Sequence, residues 1–381
     1  MASNGETLSG CGTAMVWRLI DLGGVDGFAM TNLYEAVART VAEHDSPNTL
    51  ILNYPAEPFV NVGYHQVVEK EVDLDFVHQQ NMLIVRRSIG GGTILDGPWE
   101  QDYFFVVNKK SEECPADIGD FYRKYLSPVA EALQRLGVPV QYKPINDLVV
   151  RDRKISGNGG ISIGDAMVLA GDVLLDLPTE LMTRVLKVPD EKFRDKLKKS
   201  LLEWMTSLKS ELGGAPNRDE VKRLLIEEFT RAFGIETEEG KLSPIETKYL
   251  GELLAERKHR EWIFMKDRDH EQLFGAAKSR QVKVKEGVSV CEGVYKAQKL
   301  IRITMETANN RINNTSISGD FFTDPYIGGI EKLERLLVGV SLDKEELRKR
   351  ITSSFDSLGL KTMGMTADDL VQAILTSKQA E

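Results

Sequence analysis

Residues 86–97 read Arg-Arg-Ser-Ile-Gly-Gly-Gly-Thr-Ile-Leu-Asp-Gly and follow the apolar run 83–85. Three consecutive glycines remove every Cβ that would hold the backbone away from a ligand, and they permit positive φ. Successive N–H groups can then converge on one concavity suited to a phosphate or an activated carboxylate. Side chains alternate along a strand, so Arg86 and Arg87 face opposite sides and only one can point into that concavity. The plainer reading of the same residues is a glycine-rich hairpin with two surface arginines.

A second stretch, 146–157, reads Asn-Asp-Leu-Val-Val-Arg-Asp-Arg-Lys-Ile-Ser-Gly. It sets Lys154 between Asp147 and the run Gly157-Asn158-Gly159-Gly160. A lysine beside a hairpin is usually a solvated charge; here the flanking glycines and carboxylate suggest work on an anion. Asp147 could hold Mg²⁺ with phosphates and water completing the shell, or simply cap a turn. Ser162 stands where a dinucleotide fingerprint needs its third glycine, and Gly240-Lys241 is followed by Leu242 instead of Ser or Thr. Neither a Rossmann nor a Walker phosphate loop is present. Gly63-Tyr64-His65-Gln66 closes another strand and is a further candidate pocket lining, with His65 readable equally as a packed histidine.

Around these stretches, residues 15–180 alternate short apolar runs with two amphipathic helices, 31–44 and 120–136. Strands are expected at 49–53, 59–62, 83–87 and 166–176. Residues 93–95 and 103–107 read as a strand pair joined through Asp96-Gly97-Pro98, and 148–150 with 154–156 as a hairpin around Asp152-Arg153. So many strands with so few helices between them favour an α+β sheet over a parallel Rossmann core. Residues 178–270 turn helical and charged. A break at 213–217 precedes a helix over 218–233 capped by Asn217, and another helix covers 244–257. Strands return at 282–290, 299–306 and 313–317. Gly319-Asp320-Phe321-Phe322 reads as a strand end with both phenylalanines in the core, and helices 330–337 and 344–355 close the chain.

A length of 381 residues implies two domains. The expected division is a loose tail over 1–14 without a signal-peptide pattern, a catalytic domain over 15–268 and a small α+β accessory domain over 269–381. The net charge of −9 argues against a general nucleic-acid binder. No run is apolar and long enough for a membrane span. Cys11, Cys114 and Cys291 are too few and too scattered for a disulfide framework, which favours the cytoplasm. The five histidines lack zinc spacing.

Taken in order, Gly63-x-x-Gln66, Arg-Arg-x-x-Gly-Gly-Gly (86–92), Asn146-Asp147-Leu148, Lys154-Ile155-Ser156-Gly157 and Gly171-x-x-Leu174-Leu175-Asp176 resemble the lipoate–protein ligase family. The resemblance runs over about 16–265, through 187–193 and Glu261-Trp262. It resumes in the tail with Val294-Tyr295-Lys296-Ala297 and Ile317-Ser318-Gly319-Asp320-Phe321-Phe322, which look like the family's accessory domain. It implies a mixed-sheet biotin/lipoate ligase-like fold. It also implies a two-step reaction in which ATP and lipoate give lipoyl-AMP and pyrophosphate, after which the lipoyl group moves to one lysine of a lipoyl carrier domain. The carrier would be glycine-cleavage H-like, dehydrogenase E2-like or a dedicated protein. Carried over by position, Lys154 would contact the lipoate carboxyl and α-phosphate. Arg87, Gly91, Gly92, Thr93, Ile94, Leu95 and Gly157 would line the ATP and lipoate pocket, and Asp147 would sit near Mg²⁺. Ile94 and Val149 are candidates for the apolar slot.

This chain departs from the family where a His-Asp pair usually follows the glycine loop, with Asp96-Gly97 in its place, and where His-Gly becomes Ala170-Gly171. These departures bear on carrier choice and acyl preference more than on adenylation. An octanoyltransferase of the lipoate pathway shares the fold but needs a cysteine nucleophile near the lysine, and no cysteine lies between Cys114 and Cys291. The Gly-Arg-Gly loop of biotin–protein ligases is absent. A non-catalytic adenylate- or carrier-binding protein is the rival from another class, and retention of Lys154 and Asp147 speaks against it.

Overall fold

The computed structural model describes residues 16–378 apart from 44–45, 189–190, 275–280 and 286–287. The expected 1–14 tail and Cys11 lie outside the described residues. The central element is a mixed six-stranded sheet, in the order Asn158–Ile163, Ala166–Leu174, Glu100–Asn108, Thr49–Pro55, Val16–Val25, Glu236–Glu239. Val16–Val25 runs parallel to both of its neighbours, and the remaining pairings are antiparallel. The α+β expectation therefore holds, with one parallel β-α-β unit at its start.

The helix of that unit, Gly27–Glu43, begins earlier than its periodicity suggests. The Asp26 carboxylate accepts hydrogen bonds from the Phe28 and Ala29 N–H groups and supplies the missing cap. This helix packs Leu33, Val37 and Val41 against Ile51, Phe104 and Val168 on one face of the sheet. Helices Ile118–Arg135 and Arg218–Phe233 cover the other face, over Leu50, Phe105 and Leu169. Both faces are covered, so the central strands read as near-continuous apolar runs instead of alternating ones. The Asn217 cap and the Pro244–Arg257 helix stand where the sequence predicts them.

Two small sheets sit at one end of this core. Phe59–Val62 pairs in parallel with Leu83–Arg86 and antiparallel with Ile94–Asp96. This corrects the expected pairing of 93–95 with 103–107. The turn at Gly97 carries the chain from the small sheet into the large one, so the two strands belong to different sheets. The second is a meander of Gln141–Lys143, Asp147–Val150 and Arg153–Ser156. Its turn runs through Arg151 and Asp152, both with positive φ.

Beyond Phe274 a separate core forms. Strands Gln281–Lys285, Val288–Lys296, Leu300–Ala308 and Arg311–Gly319 make an antiparallel sheet. Helices Gly329–Leu337, Lys344–Leu358 and Ala367–Lys378 pack Leu333, Ile351 and Ile374 against Ile301, Ile303 and Met305. The last helix is one more than the sequence reading allows for. Its start is marked by a reciprocal cap between Thr366 and Asp369. This unit is docked on the first through Lys266, whose buried ammonium lies 3.1 Å from Glu331 and 3.4 Å from Glu334. His65 stacks on Phe321 at 4.7 Å, and the Gly319 N–H donates to the His65 carbonyl. Burial pulls the His65 imidazole down to about 3, so it stays neutral there.

Among the buried ion pairs, Arg257 to Glu35 joins Pro244–Arg257 to Gly27–Glu43 at 2.7 Å with both side chains inaccessible. Substituting Arg257→Ala leaves the buried Glu35 carboxylate only Arg39 and the Tyr326 hydroxyl as partners and lowers the unfolding free energy by about 3 kcal/mol. Urea denaturation measures this. A loss of about 1 kcal/mol or less, as for an exposed pair, would show that water replaces the guanidinium.

Candidate active site

The two glycine-bearing stretches meet at one cavity of about 360 Å³. Of the residues expected there, Arg87, Gly91, Gly92, Thr93, Ile94, Leu95, Lys154 and Gly157 all line it. Asp147 lines a smaller adjoining cavity of about 180 Å³ instead, together with Asn146, Lys299 and Gly364. Val149 is buried and lines neither cavity. The apolar wall comes from Ile94 together with Met30, Phe104, Leu174, Met205 and Phe322. Val149 pairs with Gln141 and Lys154 inside the meander and forms no part of the wall.

The arginine pair is not on the surface. Arg86 is wholly buried and donates to the carbonyls of Gly63, Tyr64, Gln66 and Ile263. Arg87, on the other side of the strand, lines the cavity as alternation requires. Its guanidinium is spent on the loop itself, with Nη2 donating to Gly90 O at 2.9 Å and Gly92 O at 2.7 Å, and Nη1 to Asn61 O at 3.0 Å. Arg87 therefore shapes the glycine loop from within. The close approach of Gly63 completes that shape, since a Cβ there would stand 1.9 Å from the Gly91 carbonyl oxygen.

Lys154 projects from Arg153–Ser156 and is 36 % exposed, with Nζ 2.9 Å from Asp147 Oδ1. That ion pair holds the ammonium at the cavity mouth, where an anion could take the carboxylate's place. No group of three or more metal-ligating side chains assembles among the described residues. Asp147 thus offers one carboxylate beside the lysine and no closed cage.

The accessory unit supplies part of the wall. Phe322 and Lys299 both line the cavity, and the Gly91 N–H donates to Phe321 O at 3.4 Å. Phe322 corrects the reading of this segment as core alone: Phe321 is core, while its neighbour turns into the cavity. Burial lowers the Lys299 ammonium, partly offset by Asp320.

Asp96, Glu100, Asp102 and Asp172 also line the cavity. The Asn61 amide donates to Asp96 at 2.7 Å, the Gly97 N–H to Glu100 at 3.3 Å and the Gly157 N–H to Asp172. Burial pushes Asp96 up to about 7 and Asp172 up to about 6, and lifts Glu100 and Asp102 well above the usual carboxylate range. Only Asp96 stood out in the sequence, as a departure from a family pattern. Glu100 and Asp102 share a strand far along the chain from Asp172, and the three become one cluster only through strand pairing.

Comparison with known proteins agrees with this geometry. Residues 26–230 match the lipoyl protein ligase A/B catalytic domain, and residues 300–374 match the bacterial lipoate protein ligase C-terminus. Lipoate–protein ligase 1 of Staphylococcus aureus is 26 % identical over 302 residues, which is 79 % of this chain and 84 % of that one. Octanoyltransferase LipM of Kyrpidia tusciae is 29 % identical over 275 residues, covering 66 % of this chain and 99 % of the relative. The bipartite lipoate protein ligase of Thermoplasma acidophilum, studied with its E2 lipoyl domain, superposes with a TM-score of 0.59. It is 27 % identical and covers 66 % of this chain and 96 % of its own. No helix among the described residues is long and apolar enough to cross a membrane.

Carboxyls raised on folding bind more protons in the folded chain than in the unfolded one between about pH 4 and pH 7, given an unfolded value of about 3.9. They therefore cost stability as pH rises through that window. Asp96→Asn should flatten the fall of Tm between pH 4 and pH 7 and raise Tm at pH 8. Parallel Tm curves for the two proteins would show that Asp96 titrates normally. By its catalytic match over 26–230 and its C-terminal match over 300–374, the chain belongs to the lipoyl protein ligase A/B family.

Proposed function

We propose that this protein is an ATP-dependent lipoate–protein ligase. The observation that carries the reading is Lys154 at the cavity mouth, beside a glycine loop, in a cavity whose described lining contains no thiol. An octanoyltransferase needs such a thiol as nucleophile. Cys291 is buried in the accessory core and Cys114 lies away from the cavity. Burial pushes both thiols up and so makes them less nucleophilic. The ligase and transferase relatives are of similar identity, so the lining separates the two readings where overall similarity does not.

In the first step the lipoate carboxylate attacks the α-phosphorus of ATP, pyrophosphate leaves and lipoyl-AMP remains. Negative charge grows on the α-phosphate oxygens, and Lys154 with the loop amides stabilises it more than the ground state. Arg87, Gly91, Gly92, Thr93, Ile94, Leu95 and Gly157 form the nucleotide and lipoate pocket. Asp147 would offer one oxygen to a Mg²⁺ ion, which would supply neutralisation of the triphosphate charge. In the second step the acyl group passes to a lysine of a lipoyl carrier domain, the kind of partner studied with the Thermoplasma ligase. The need for ATP and the free Cys114 and Cys291 support a cytoplasmic setting.

Purified protein should catalyse lipoate-dependent ATP–pyrophosphate exchange with Mg²⁺ and no carrier, and Lys154→Ala should lower it by at least about 10²–10³-fold. Circular dichroism checks that the variant is folded. Unchanged exchange in that variant would remove Lys154 from the chemistry, and no exchange in the wild type would favour a transferase or a binding protein.

The accessory unit, taken as residues 269–381, uses the Gly91 N–H and places Phe322 in the cavity wall. On this reading it moves aside between adenylation and transfer, so that a carrier lysine can enter. Small-angle scattering with and without lipoyl-adenylate should give different profiles, and superimposable profiles would count against the movement.

A further inference from the structure

Four carboxyl groups line the cavity, and none of them forms an ion pair among the described residues. Asp102 stands directly opposite Asp172 on the neighbouring strand, and Glu100, two residues from Asp102, shares its face. Asp96 approaches from the small sheet. The nearby guanidinium groups are committed elsewhere: Arg87 to loop carbonyls, and Arg218 to the carbonyls of Pro98 and Glu100. Asp102 is 1 % exposed, and its Oδ2 has no hydrogen-bond partner. A buried polar oxygen left without a donor is costly. A pocket built around one points to a guest that brings the donor.

Asp172 holds the end of this cluster nearest the chemistry. A Cβ placed on Gly157 would lie 3.1 Å from Asp172 Oδ1 and 3.7 Å from Lys154 Cε. Carboxylate and lysine stem therefore flank one point at the cavity mouth. On the ligase reading, which this inference rests on, the transfer step brings a cation to that point: the ε-ammonium of the carrier lysine. With an unperturbed pKa of about 10.4, only about one such amine in 2,500 is neutral at pH 7. We propose that Asp172 is a further catalytic residue of the transfer step, receiving that ammonium and taking its proton.

The step balances as follows. One N–H proton moves to the Asp172 carboxylate, and the freed lone pair forms the new C–N bond at the acyl carbonyl. The C–O bond to the phosphate breaks, and the second nitrogen proton leaves on an oxygen of the departing AMP. No oxidant or further reactant is needed. Lys154, holding positive charge beside the same point, lowers the proton affinity of the incoming amine. A carboxyl near 6 is ionised at neutral pH and still basic enough to accept. The groups facing Asp172 are Lys154 from its own meander, Glu100, Asp102 and Tyr103 from the adjacent strand, and Asp96 from the small sheet. Arg87 stands behind Asp96, and Arg218 behind Glu100 and Asp102.

The test supplies preformed octanoyl-adenylate, so it does not depend on the ATP half-reaction. Aminolysis is compared for two probes, Nα-acetyl-lysine amide and hydroxylamine, the second being neutral at pH 7 and needing no base. Asp172→Asn keeps an acceptor for the Gly157 N–H and should cut the lysine-to-hydroxylamine rate ratio by about 10²-fold. A merely structural role lowers both rates together, and an unchanged ratio would overturn the proposal. Should the variant fail to fold, the wild-type pH profile decides. A lysine rate that levels above pH 6–7 supports Asp172, and one that climbs tenfold per pH unit to pH 9 overturns it. Aminolysis that shows the Asp172 dependence in a protein without ATP–pyrophosphate exchange would sink the ligase reading and leave this inference standing.

Discussion

The arrangement around the cavity depends on one buried charge, the Arg86 guanidinium. It donates to three carbonyls of the Gly63–Gln66 segment and to the Trp262 and Ile263 carbonyls, and it lies 3.6 Å from the Asp267 carboxylate. A buried guanidinium is tolerable only when it is compensated: carbonyls meet Nε and Nη1, and the Asp267 carboxylate faces Nη2. Asp267 in turn accepts from the Val68 and Glu69 N–H groups. One side chain thus ties the strand that enters the glycine loop to the segment beneath it and to the helix that carries Lys266. Lys266 and His65, which dock the accessory unit, hang from the two partners of that single hub.

The same economy explains the glycine loop. Arg87 satisfies the loop's own carbonyl oxygens at Gly90 and Gly92. One of the loop's N–H groups, on Gly91, is taken by the accessory unit's Phe321 carbonyl. The loop and the accessory unit are therefore coupled through a hydrogen bond that a bound anion would compete for. Bistable contacts of this kind let a ligand shift a docking equilibrium by its differential affinity alone.

Much of this was readable from the chain. The glycine loop, the lysine turn and the Asn217 cap follow from local chemistry, because turns, caps and periodicity act over a few residues. The pairing partner of Ile94–Asp96 was misread because a turn signal announces a change of direction and says nothing about which sheet receives the next strand. The carboxyl cluster was invisible for the opposite reason: each acid alone looks like an ordinary polar strand residue. Only the register of Asp102 against Asp172 brings them together. Phe322 and Lys299 reach the cavity from more than a hundred residues downstream, through docking geometry that no local pattern encodes.

The cavity that results is electrically divided. Lys154 and Lys299 stand on the side of Asp147 and the accessory unit, with Asp172 facing Lys154, while Asp102 and Glu100 lie deeper, near Arg218 but in no ion pair among the described residues. Anionic phosphate is therefore favoured beside the two lysines. A nucleotide would hold its charge away from the sheet, and the acyl chain would lie between the two poles against Phe104 and Leu174. Low dielectric strengthens this division, because interactions between buried charges are far less screened than those in water. A pocket with that polarity favours an anion beside Lys154 and Lys299 and an apolar chain along Phe104 and Leu174.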